Sequence, residues 1–125
     1  MMINYTVNPY LIQSQVLQCY NLFVDKKKII LEFIKKEKLA VLATVGETVP
    51  ESSVLEFGET DNLEIILDMF TASLKYKNMK ANPNVSLVIG WDEDITIQYE
   101  GIAEELSGKE KTQHQEIYWK KKSQI

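Results

Sequence analysis

The 125-residue chain contains no arginine, so all fourteen of its basic residues are lysines. Arginine grips phosphate through two parallel hydrogen bonds, whereas lysine offers a mobile point charge. Any phosphate site here must therefore be assembled from lysines, hydroxyls and backbone N–H groups. Cysteine is almost absent as well. Cys19 stands alone, which excludes an internal disulfide, and no Cys/His cluster has zinc-ligand spacing. That usage points to a reducing cytoplasm, with Cys19 a small buried hydrophobe. His114 is the only histidine; in a polar, helix-prone tail it reads as a solvated side chain rather than a ligand or an acid–base catalyst. No apolar run reaches the roughly 20 residues of a membrane span, and no signal-peptide pattern is present, so no membrane partner is expected. Basic excess is missing too: the net charge is -4 and the isoelectric point about 5.0. A general nucleic-acid binder presents a basic surface instead.

What is present is the composition of one small soluble domain, with 45% hydrophobic and 26% charged residues. No repeat, linker or low-complexity tract divides it, so a single domain over 1–125 is expected. Residues 1–8 are polar and without period, and read as loosely held. Between 10 and 24, Ile12, Val16, Tyr20 and Phe23 fall at helical spacing and predict an amphipathic helix. Asp25 can cap a second helix over 26–36, whose Ile29, Ile30, Phe33 and Ile34 form one apolar stripe. An N-terminal helical segment over 1–37 follows. The run LAVLATV at 39–45 has strand length and suits burial on both faces. A strand over 52–57, a turn at 58–62 and a returning hairpin strand over 63–67 complete the first half.

The most informative stretch is 70–101. Ser73 can cap a short helix with Lys75 in its first turn, and a helix start carries open N–H groups and partial positive charge. Read alone, this is more simply an ordinary capped surface helix with solvated Lys75, Lys77 and Lys80. Asn82-Pro83 ends it, 85–89 reads as a buried strand, and Gly90 permits a close approach. Trp91 suits a core or dimer contact, and Asp92-Glu93-Asp94 reads as a solvated acidic turn rather than a cation site. Ile95, Ile97 and Tyr99 then share one face of a strand; Thr96, Gln98 and Glu100 share the other. Residues 107–125 are expected to form a helical tail docked by Ile117, Tyr118 and Trp119.

Taken in order, Pro50-Glu51-Ser52-Ser53, Leu63 to Asp68, Lys75-Tyr76-Lys77-Asn78-Met79, Asn82 to Leu87, Val88-Ile89-Gly90-Trp91 and Gln98-Tyr99-Glu100-Gly101 resemble the pyridoxamine 5'-phosphate oxidase-like family. The resemblance covers most of the chain. It implies a mainly β fold with flanking helices (α+β), an antiparallel, Greek-key, FMN-binding split β-barrel with the barrel over 38–106. It also implies a homodimer with FMN at its interface. Carried over residue by residue, the expected cofactor-binding set is Ser53, Thr71, Ser73, Lys75, Thr96 and Gln98, with no catalytic side chain assigned.

Several positions depart from the family pattern. Relatives carry an arginine where Ser52 and Ser53 stand, a threonine at the place of Met69, and an arginine at that of Leu74. The strand glutamine that reaches the flavin in pyridoxamine phosphate oxidases corresponds to Thr96, with Gln98 on the same face. Relatives usually continue past the C-terminal tail with a further barrel strand and a basic segment, so the sequence reads either as a short member or as a fragment, with the N-terminal helix as the cover of an exposed barrel edge. The resemblance therefore implies an FMN-binding redox protein of unspecified substrate, with direct flavin transfer fitting better than proton chemistry. A split-barrel dimer that has lost or merely stores flavin is the alternative. A barrel for another flat cofactor, deazaflavin or haem, is a remoter third.

Overall fold

The computed structural model describes residues 2–14, 26–92 and 94–124. It contains β1 (Met2–Ser14), α1 (Lys26–Lys36), β2 (Leu39–Val45), β3 (Pro50–Glu56), β4 (Gly58–Glu59), β5 (Ile65–Phe70), α2 (Leu74–Ala81), β6 (Asn84–Ile89), β7 (Ile97–Glu105) and α3 (Gly108–Lys122). All pairings are antiparallel, and the strands form one seven-stranded sheet in the order β3-β2-β6-β7-β1-β5-β4. Strand β3 approaches β5, so the sheet curls back on itself as the split barrel implied by the resemblance.

Strand alternation separates the two faces. Tyr5, Val7, Ala40, Leu42, Val85, Leu87, Ile89, Ile97 and Tyr99 point inward and are buried together with Ile30 and Ile34 of α1. The apolar stripe predicted on α1 thus packs into the barrel. Phe33 of the same helix sits against Gly90, where φ is +82° and any Cβ would collide with the phenyl ring. The expected close approach at Gly90 is real, and it fixes α1 to the end of β6.

Four expectations require correction. Residues 2–14 are not a loose end leading into a helix: they form β1, hydrogen-bonded between β5 and β7. Residues 10–14 of the expected helix lie in that strand, while 15–24, Asp25 and Cys19 fall outside the described residues. The expected helical cover of a sheet edge rests on 10–24, of which only 10–14 are described, in β1. Second, β2 is not buried on both faces, because only Ala40, Leu42 and Thr44 are fully enclosed. Third, the strands around 52–57 and 63–67 do not form a hairpin. Strand β3 pairs with β2 at one edge, and β5 pairs instead with the two-residue β4. Fourth, of the three expected docking residues of α3 only Tyr118 is buried; Ile117 and Trp119 are exposed.

Helix α3 lies over the outer side of β4 and β5, and this cover explains the polar look of β1. Asn4, buried on that side, accepts a hydrogen bond from Gln115 Nε2 (2.7 Å) and donates Nδ2 to Asp68 Oδ1 (3.5 Å). Burial holds the Asp68 carboxyl above its ordinary range, partly offset by Lys122 and Lys111. The tail is clamped further along by Lys121. Its ammonium lies 2.6 Å from Glu59 Oε2, donates to the Ile34 carbonyl at 3.3 Å and sits 3.7 Å above the Phe57 ring.

Candidate functional site

The turn after β5 sets the start of α2. Ser73 Oγ donates to the Phe70 carbonyl (2.7 Å) and accepts from Tyr76 N–H (3.3 Å), which fastens the helix as an N-cap. On the inward side of α2, Tyr76 meets the Tyr5 ring edge-on at 6.2 Å, and Asn78 and Met79 are buried. The first turn of α2 is consequently held over β2 and the start of β3.

In the antiparallel β2–β3 register, Thr44 faces Glu51, Ala43 faces Ser52 and Leu42 faces Ser53. Glu51 and Ser53 therefore lie on the face of Thr44 and Leu42, toward α2. Thr44, Glu51, Ser52, Ser53, Leu74 and Lys75 enclose a cleft of about 130 Å³. Among the described residues Lys75 has no ion-pair partner and Ser53 Oγ no hydrogen-bond partner, so both remain able to receive an anion.

Asn78 forms the floor. Buried to 8% exposure, its Nδ2 donates to Thr44 Oγ1 at 3.0 Å and to Glu51 Oε1 at 3.3 Å. Thr44 Oγ1 also reaches the Glu51 carbonyl (3.5 Å). The Glu51 carboxylate lies across Gly46, where an added Cβ would overlap both that carboxylate and the Val49 carbonyl. Only a glycine leaves room for this approach.

The six expected cofactor residues are thus only partly assembled. Lys75 and Ser53 meet in the cleft. Ser73 is adjacent, but its proton and one lone pair are committed to the cap. Thr71 occupies the preceding turn and does not line the cleft. Gln98 is exposed on the outer face of β7, in the lateral row Val54–Val41–Val88–Gln98, with Thr96 just before that strand. Three strand spacings separate Gln98 from β3, about 14 Å. One copy of the chain does not bring Gln98 and Lys75 to one point. The residues that sequence reasoning overlooked are Thr44, Glu51 and Asn78. Glu51 and Asn78 stood inside stretches already singled out, but their mutual contact spans 27 positions and has no local signal.

A larger cleft of about 400 Å³ opens at the other edge of the sheet, between β4 and α3, where Lys35, Glu59, Asp61, Lys120 and Lys121 gather. Its charges are largely spent on one another, through Lys121–Glu59 and Lys35–Asp61 at 3.3 Å. Burial raises the Glu59 carboxyl and lowers the Lys121 ammonium, with their mutual attraction opposing both shifts.

Residues 27–124 match the sequence model of the pyridoxamine 5'-phosphate oxidase family. The chain belongs to this family. A structure of a conserved hypothetical protein, Rv2991 from Mycobacterium tuberculosis, shares the fold with a TM-score of 0.65 at 22% identity. The alignment covers 80% of this chain and 66% of that one, so the chain spans less than two thirds of that neighbour's length. No curated protein matches significantly. The side chains facing the cleft at α2 carry one positive charge, Lys75, and one negative charge, Glu51.

Proposed function

We propose that the protein is an FMN-binding redox protein that works as a homodimer. The observation carrying this reading is the convergence of Lys75 and Ser53 at the open first turn of α2. An ammonium, a hydroxyl and unpaired backbone N–H groups are what a phosphate group requires in a chain without arginine. The cleft residues fit that role, with Glu51 as the one opposing charge. Bound there, the flavin supplies hydride and electron transfer. The chain's own residues hold the phosphate end through Lys75 and Ser53, while Thr96 and Gln98 border the ring or ribityl chain.

Dimerisation is supported by the outer sheet face. Val54 is 59% exposed at the edge strand, beside half-buried Val41 and Val88, with Val45, Val49 and Ile102 also exposed. Apolar side chains in such an array gain about 25 cal/mol per Å² when a second copy covers them. In that arrangement Gln98 and Thr96 of one copy serve a flavin whose phosphate is held by the other. Apart from Glu51 and Lys75, no titratable side chain lines the cleft, which favours direct transfer over proton abstraction.

The test is a visible absorbance spectrum, then FMN titration followed by flavin fluorescence, with sedimentation velocity reporting the dimer. Stoichiometric or saturable binding that weakens about tenfold or more in Lys75→Ala is expected, since one charge-assisted hydrogen bond contributes roughly 1.5–3 kcal/mol. A colourless protein that ignores FMN at high micromolar concentration removes the redox reading. Glu51 beside Lys75 favours a second reading, a split-barrel dimer that has lost or merely stores flavin and acts through its contacts. Reduction of bound flavin by a nicotinamide nucleotide separates the two.

A further inference from the structure

We propose that Glu51 sets the charge of the ligand that the Lys75 cleft accepts, so that an uncharged flavin such as riboflavin binds at least as well as its phosphate ester. This rests on the flavin-binding reading above and adds a selectivity to it. The carboxylate is not a stray surface group. Asn78 Nδ2 holds its Oε1 at 3.3 Å, Asn78 is itself buried and tied to Thr44, and Gly46 leaves the carboxylate the space to lie inward. Glu51 thus cannot swing into solvent without giving up that hydrogen bond.

Lys75, the cation lining the same cleft, is matched by this fixed anion, so the side-chain charges facing a ligand cancel. A phosphate dianion entering the cleft gains one attraction and meets one repulsion. A ribityl hydroxyl avoids that repulsion: it can donate to the Glu51 carboxylate and accept from Lys75 or Ser53. The side chains of the cleft therefore give a dianion no net charge advantage over a neutral polyol end.

Affinities of wild type, Glu51→Gln and Lys75→Ala for FMN and riboflavin, read by flavin fluorescence, test this. Glutamine keeps the acceptor that Asn78 uses, so Glu51→Gln removes the charge and retains the contact. Wild type is expected to bind FMN no more tightly than riboflavin. Glu51→Gln should tighten FMN about tenfold for each phosphate charge, up to about a hundredfold for the dianion, with riboflavin within about twofold, the effect of a like charge roughly 6 Å away at an effective dielectric near 40. Glu51→Ala, which deletes the carboxylate, must move the FMN-to-riboflavin ratio in the same direction; it serves as the check if Glu51→Gln is misfolded by circular dichroism. Flavin binding with an unchanged ratio in both variants overturns the role of Glu51 and leaves the flavin reading standing. Absence of binding by either flavin in wild type and both variants overturns the two together. FMN binding that appears only when Glu51 is neutralised supports the role of Glu51 and removes the FMN reading of the wild-type chain.

Discussion

Removing the Lys121 side chain is the most demanding test of how the C-terminal helix is held. The ammonium and the Glu59 carboxylate are only 12% and 8% exposed, and they meet at 2.6 Å. Lysine also donates to the Ile34 carbonyl and covers the Phe57 ring. Lys121→Ala therefore leaves a buried carboxylate and a carbonyl without their partner. Breaking one side of a buried pair costs about 3–5 kcal/mol, and the lower end applies because Glu59 can take up a proton instead.

Unfolding entropy of about 2.1 cal/mol/K per residue over 125 residues makes each kcal/mol worth about 4 °C. A fall in Tm of roughly 11 °C at pH 7.5 is expected by calorimetry. The pH dependence supplies the signature. Burial raises the folded-state Glu59 carboxyl even beside Lys121, and without the ammonium it rises further. A raised carboxyl binds protons more readily in the folded than in the unfolded chain. Stability lost to it at high pH is regained as pH falls through the folded value toward the ordinary carboxylate range. The deficit of Lys121→Ala should therefore shrink between pH 7.5 and pH 5. Burial works against both charges, so the pair itself adds little, and Glu59→Leu with Lys121→Met should stay within about 1 kcal/mol of wild type. A single-variant loss below about 1 kcal/mol, or one that grows on acidification, would refute this account of the clamp.

Two further substitutions separate structural from ligand-holding groups. Tyr99→Phe removes a fully buried hydroxyl that bonds the Val7 carbonyl at 2.9 Å and the Leu63 carbonyl at 2.5 Å; urea unfolding should show a loss of about 1–3 kcal/mol. Ser73→Ala deletes the cap of α2 and should cost about 1 kcal/mol by the same assay. Because the Ser73 hydroxyl is already engaged, FMN affinity in that variant should fall less than in Lys75→Ala.

Elements whose partners lie nearby in pattern space were legible in the sequence. The bounds of α1 and β2, the cap and end of α2, and the alternation around Tyr99 follow from local rules of periodicity, capping and proline. β1 did not follow, and the reason is specific. Tyr5 and Val7 alternate with Asn4 and Thr6, but polar outward residues in a first strand look like a solvated end. Their burial depends on α3, more than a hundred positions away, whose Gln115 satisfies Asn4. The hairpin expected between β3 and β5 failed for a related reason. Sequence neighbours usually pair, yet Gly58–Glu59 takes the partner role on β5 and leaves β3 as an edge. In the candidate site, Lys75 was legible from its place in the first turn of α2, whereas Ser53 was found through family resemblance alone. The Asn78–Thr44–Glu51 contacts arise only when α2 settles over β2.

The absence of arginine acquires a consequence once the lysines are placed. Lys121 is buried in the α3 clamp, while Lys35, Lys80 and Lys122 reach Asp61, Glu105 and Glu56 within 4 Å. These lysines hold surfaces and helix ends together. Lys75 is the one brought to the cleft at α2, and there Glu51 meets it. A site with two guanidinium forks would tolerate a nearby carboxylate, because the positive charge would still exceed it. A site with one ammonium does not have that surplus. The electrostatic identity of the cleft is then decided by a single residue on an edge strand, whose orientation depends on the buried amide of Asn78. On the flavin-binding reading proposed above, that one carboxylate sets the choice between a flavin phosphate and a neutral flavin.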